Sequence, residues 1–126
     1  MTSLMKQLKT RGSATNVKEI DVSELFPDGG GEKVYVRQMR LADREWMMAA
    51  MRSVGQGENA ALMPTMEARC RQIVRCLADA NGKRLWTDID VEGLMTECES
   101  GDIDLIGARI DAKLGERPSV EDAEKN

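Results

Sequence analysis

The sequence contains no histidine. Its absence removes the side chain best suited to general acid–base work near neutral pH, and the commonest metal ligand with it. The usual serine triad is thereby excluded, and there is no G-x-S-x-G elbow or glycine-rich phosphate cradle to suggest another route. Aromatics are scarce, limited to Phe26, Tyr35, Trp46 and Trp86. The three cysteines, Cys70, Cys76 and Cys98, lack the CxxC spacing of zinc and redox motifs. Cys70 and Cys76 fall on one predicted helix, too far apart along its axis to bridge, so all three read as reduced thiols packed as small hydrophobes. Residues 1–11 carry no signal-peptide-like apolar run, and no stretch approaches the roughly 20 apolar residues of a membrane span. These absences predict a cytoplasmic, non-enzymatic protein with no catalytic residue, metal or cofactor.

What is present suits one modest domain. The 126 residues are 41% hydrophobic and 32% charged, with a net charge of −4. A chain of this length buries enough surface for a single core without disulfide or metal. The acidic balance supplies no global field toward nucleic acid or anionic lipid. Nine methionines fill some of the space that aromatics leave, and methionine packs adaptably while specifying shape weakly.

Periodicity then divides the chain. Leu4, Met5 and Leu8 fall on one face of a short helix over Ser3–Lys9. Lys18, Ile20 and Val22 alternate with charges, as in a strand. Pro27-Asp28-Gly29-Gly30-Gly31 is a turn cluster, and Lys33 to Arg37 is a second strand that pairs with the first as a hairpin. Asp43–Ser53 is expected to be a helix, its stripe made of Trp46, Met47, Ala50, Met51 and Val54. A loop over Gly55–Pro64 leads to Thr65, an N-cap for a helix to Leu77 with Cys70, Ile73, Val74 and Leu77 inward. Asn81-Gly82 marks a tight turn. Thr87 and Asp90 read as a capping box for a helix through Met95. Ser100 or Gly101 opens a last helix with Ile103, Ile106, Ile110 and Leu114 inward, and Gly115 suits its C′ position. The fold class is therefore α+β: a mainly helical single domain over residues 1–115, with a short N-terminal β-hairpin and a disordered, flexible charged tail over 116–126.

Three candidate sites merit weighing. Asp88, Asp90, Glu92, Gly93 and Glu99 nearly match the twelve-residue calcium loop, with Glu92 departing where a shorter acid is usual. The competing reading places Asp88–Met95 in a helix whose acids complement the dipole at its start. Arg69, Arg71 and Arg75, with Arg37, Arg40 and Arg44, form either a solvated face or a basic patch, the latter without aromatic interleaving. The methionine-rich helix carrying Trp46, Met47, Met48 and Met51 is apolar over more than one narrow stripe. Part of it either fills a core short of Phe and Leu or faces outward as an adaptable binding surface. On apolar helix faces alone, Trp46, Met47, Met51, Ile106 and Ile110 are the candidate protein-binding residues.

From Lys33 to Leu114 the sequence resembles the tail assembly chaperones of long-tailed bacteriophages. One segment is Val34-Tyr35-Val36-Arg37 leading into Asp43-Arg44-Glu45. A longer one is Ile73-Val74-x-x-Leu77-x-Asp79-x-x-Gly82-x-x-Leu85-Trp86-Thr87-Asp88-x-Asp90-Val91-x-x-Leu94, with Trp86 where the family often has Phe. The ending Glu124-Lys125-Asn126 is compatible with a slippery run of codons for ribosomal frameshifting, by which the family makes a short and a long product. The resemblance implies a short-form chaperone, cytoplasmic in the host cell and absent from the mature virion. It would bind the tape measure protein and keep it soluble, while the frameshifted long form recruits tail tube protein; a weak homo-oligomer is compatible with this. Two alternatives stand beside it: a small acidic secretion-type chaperone or adaptor, and a calcium-binding module built on Asp88 to Glu99.

Overall fold

Thr65 starts the central helix. Its hydroxyl accepts the N–H of Ala68 at 3.0 Å, satisfying one of the donors a helix leaves open at its start, and donates to the Ala50 carbonyl at 2.7 Å. The structure, a computed structural model, describes residues 3–13, 16–26, 31 and 33–115. The turn readings for Pro27 to Gly30, the tail over 116–126 and its Glu-Lys-Asn ending lie outside them.

Among the described residues, five α-helices and five short strands follow in chain order: α1 (Ser3–Arg11), β1 (Val17–Ile20), β2 (Val34–Arg37), α2 (Leu41–Met48), β3 (Arg52–Val54), β4 (Ala61–Met63), α3 (Met66–Cys76), β5 (Leu77–Ala78), α4 (Asp90–Glu97) and α5 (Ser100–Leu114). The expected hairpin is present. β1 pairs antiparallel with β2, Val17 opposite Arg37 and Ile20 opposite Val34, and β5 adds to the other edge of β2. The alternation that signalled β2 is visible in its burial, with Val34 and Val36 inward and Tyr35 and Arg37 half-buried.

Helix α3 is the pillar of the core. Cys70, Ile73, Val74 and Cys76 are buried, as is Leu77 where the helix gives way to β5. Ile20, Val22, Val34 and Val36 from the hairpin, Leu94 from α4, and Ile103 and Ile110 from α5 complete the same cluster. Each such side chain taken out of water contributes on the order of 2 kcal/mol, which is how a hairpin of two four-residue strands remains ordered: its inner face lies on the helices.

The sequence-based expectations need five corrections. The helix over Asp43–Ser53 ends at Met48. The chain tightens there, with Ala50 N–H donating to Met47 and Met51 N–H to Met48, and then extends into β3. The supposed loop over Gly55–Pro64 contains β4, paired with β3 from Arg52 opposite Met63 to Val54 opposite Ala61. The helix expected to reach Leu77 stops at Cys76. Helix α4 begins at Asp90 rather than Asp88 and runs to Glu97; the Asp90 carboxylate accepts the Thr87 N–H at 2.8 Å, so one half of the capping box forms. Finally, Gly115 keeps a right-handed helical φ of −71°, so it is not the left-handed C′ glycine expected.

Candidate protein-binding surface

Asp43 organises the first side of this surface. It sits in the first turn of α2, only 5% exposed, and accepts the Arg40 N–H at 3.0 Å. Its other oxygen takes Arg75 Nη1 at 2.9 Å, and Arg37 lies 3.6 Å away. Burial pushes this carboxyl up. The Arg75 hydrogen bond, the Arg40 N–H and the two guanidinium charges outweigh that and hold it below the usual carboxylate range.

Arg75 also closes on Asp88, Nε to one oxygen and Nη2 to the other, both at 2.8 Å, and Arg84 reaches the same carboxylate at 2.8 Å. Those bonds bring the Asp88 pKa down to about 2, with Arg75 the largest cause, and raise that of Arg75. The Trp46 ring lies beneath two guanidinium groups, with Arg75 at 4.3 Å and Arg71 at 4.8 Å from its centroid. Arg71 further donates to the Trp46 carbonyl at 2.7 Å and lies 3.6 Å from Glu67. Most of the supposed basic patch is thus internal structure: Arg37, Arg71 and Arg75 hold α2, α3 and the approach to α4 together, while Arg44 is exposed.

A second cluster ties α3 to α5. Arg69 and Gln72 both reach Asp111, at 2.7 and 2.8 Å, and Arg69 donates to the Gly107 carbonyl. Gly107 makes room for this: a β-carbon there would stand 2.4 Å from Arg69 Cδ. From the same stretch of α5, Arg109 bonds the Asp21 carbonyl and the Glu24 carboxylate. No buried side-chain nitrogen or oxygen among the described residues lacks a partner.

The acids of the calcium-like segment do not converge. Asp88 faces arginines, Asp90 caps Thr87, and Glu99 turns back to accept the Asp102 N–H at the start of α5. Among the described residues no three His, Cys, Asp or Glu side chains are grouped to hold a metal ion.

The residues singled out for binding separate into three settings. Trp46, half-buried, lines a groove of about 530 Å³ with Arg71, Ile89, Val91, Glu92 and Met95. Met47 and Met51 line a different depression of about 200 Å³ against Pro64, Ala68 and Gln72. Ile106 packs half-buried on the core. Ile110 is completely buried, so its place as a surface residue is corrected: the apolar face of α5 that it marks is turned inward onto α3. No family model, characterised protein or solved structure matches this chain. The surface is therefore read from its own chemistry.

Sequence reasoning missed several exposed apolar residues around α4. Ile89 is 87% exposed, just before α4, and Met95, Met66 and Leu85 also reach solvent. Their signal was present, since Ile89 and Met95 do not share the face of Leu94, but the helix was judged by its capping acids. Cys98 is likewise exposed, whereas Cys70 and Cys76 are packed as expected. Burial raises both buried thiols, that of Cys76 to about 12. No described helix is long and apolar enough to cross a membrane.

Proposed function

We propose that this chain is a tail assembly chaperone of the short type, which binds apolar stripes of the tape measure protein and keeps it from aggregating, the frameshifted long form recruiting tail tube protein. The observation that carries this reading is the α4 groove. Trp46 and Met95 line it, Ile89 stands almost wholly in water at its edge, and Glu92 supplies an acidic rim. Unbranched methionine and a partly covered tryptophan suit many similar apolar helices rather than one fixed partner. An acidic rim keeps such a surface soluble while it is unoccupied.

The family-like segment supports the reading in a different way. Asp79 accepts the N–H groups of Asn81 and Lys83, Gly82 has a φ of +84°, Leu85 donates to the Leu77 carbonyl, and Asp88 locks Arg75 and Arg84. Each of these residues builds the turn that presents α4. Such a structural role suits a protein that binds and releases a partner in the host cytoplasm.

The test is co-expression with a long, coiled-coil-like tape measure protein from the same genome. The expected result is a larger soluble fraction of that protein and its co-purification with this chain, both reduced by Ile89→Asp with Met95→Asp. A partner that stays insoluble, or one rescued equally by the double variant, would overturn the reading.

A further inference from the structure

The N-terminal helix is lightly engaged with the rest of the fold. α1 buries no residue, and Leu4 and Leu8, one turn apart on the same face, are 69% and 57% exposed. Lys6, Lys9 and Arg11 form no salt bridge among the described residues, and the helix contains no acid. The opposite case holds along α4. Ile89 and Met95 are exposed beside the groove, and Glu92 and Glu97 have no cationic partner among the described residues.

The chain's charge is segregated to match. Residues 1–18 carry four basic side chains and no acidic one, whereas Leu85–Ala108 carries seven acids and no base. A basic amphipathic helix and an acid-rimmed apolar groove thus occur on the same molecule. They are also of one length, since α1 has nine residues and α4 eight, or about 12–14 Å each at the helical rise.

We propose that α1 of a second copy of this chain lies in the α4 groove, with Leu4 and Leu8 toward Trp46, Ile89 and Met95 and its cations toward Glu92 and Glu97. Within one copy α1 is held elsewhere. Arg40 Nε bonds the Gly12 carbonyl at 3.0 Å and fixes the C-terminal end of α1 beside Met39, Arg40 and Leu41. Reciprocal placement of both α1 helices puts the same two patches in contact twice and closes a two-fold dimer. This goes beyond the chaperone reading and does not rest on it, since it needs only the purified chain.

Sedimentation or light scattering of the full chain over a concentration series tests it. The wild type is expected to dimerise, and salt is expected to weaken the dimer because the paired charges lie at the surface. Lys6→Glu with Lys9→Glu gives a chain acidic at both patches, and Glu92→Lys with Glu97→Lys gives one basic at both. Each should weaken its own homodimer by about tenfold or more, as like charges now face each other. An equimolar mixture of the two should restore association, because the acidic α1 of one chain then meets the basic groove of the other, and the unaltered basic α1 meets the unaltered acidic groove. That rescue also excludes misfolding as the cause of the losses. A wild type that stays monomeric throughout the series, reversals that leave the dimer unchanged, or a mixture that fails to associate would each overturn the proposal.

Discussion

Replacing Asp43 should be the most damaging single change to a polar side chain in this protein. Asp43→Ala removes the carboxylate that Arg75 and Arg37 share and leaves the Arg40 N–H at the start of α2 without its acceptor. Breaking a buried ion pair by deleting one partner costs about 3–5 kcal/mol, because the other charge is left uncompensated. Here the lower end applies. Arg75 keeps Asp88 and its place over Trp46, and 12% of the Arg37 side chain reaches solvent. A loss of about 3 kcal/mol corresponds to a fall in Tm of about 12 °C for a domain of this size. Asp43→Asn retains an acceptor for Arg40 and should lose about 2 kcal/mol, most of it the charge. Urea unfolding followed by circular dichroism measures both, with the m value expected to stay constant. In a double-mutant cycle, Arg75→Met should show a coupling of about 1–3 kcal/mol with Asp43→Ala. Losses under about 1 kcal/mol, or no coupling to Arg75, would refute the idea that Asp43 holds α2 to α3.

Acid should reach this network through Asp88 as well. Its folded-state pKa of about 2 lies below the unfolded value, so the native state binds fewer protons and stability falls as pH drops from about 4 toward 2. At 43% side-chain exposure solvent screens the pair, so the contribution is under about 1 kcal/mol, and Asp88→Asn should flatten the stability profile in that window. Gly107→Ala should destabilise in the wild type, where the new β-carbon displaces Arg69 from Asp111. In an Arg69→Ala background its sign should invert to a gain of up to about 1 kcal/mol from helix propensity, and a uniform sign across backgrounds would contradict the close approach. A thiol reagent at neutral pH should label one cysteine in the folded protein, Cys98, and all three after denaturation; rapid native labelling of Cys76 would contradict its burial.

Much of the fold is legible because its signals are local. Thr65 and the Cys70, Ile73, Val74, Leu77 spacing specify α3, β-branched residues specify β2, and Asn81-Gly82 specifies a turn, with Gly82 taking up the positive φ. The β3–β4 hairpin is not legible, since Ala50, Met51 and Val54 continue the spacing of α2 and three-residue strands are too short to show alternation. Past the helix end the Ala50 carbonyl is taken by the Thr65 hydroxyl, a long-range bond that no window around residue 50 contains. β5 is hidden for the same reason, being two residues that become a strand only because β2 offers an edge. The arginines were hardest to place. Their partners Asp43 and Asp111 lie 32 and 42 residues away, so pairing them requires the fold.

Net charge was the least informative number in the sequence. A value of −4 describes a mildly acidic chain and supplies no global field toward nucleic acid. It is also the sum of two unlike regions, a basic N-terminal helix and an acidic stretch from Leu85 to Ala108. Arg75 and Arg84 are paired with Asp88 and Arg69 with Asp111, whereas Lys6, Lys9, Glu92 and Glu97 form no salt bridge among the described residues. The internal ion pairs therefore do two things at once. They fix α3 against its neighbours, and they leave the unpaired cations of α1 and acids of α4 available to an outside partner. Exposed leucines lie beside the first charge and exposed Ile89 and Met95 beside the second, so charge can guide each apolar patch to a complementary surface. A uniform acidic exterior with the same net value would repel copies of itself. This distribution instead favours contact between its opposite ends, and specificity of that kind is carried by charge placement rather than by charge total.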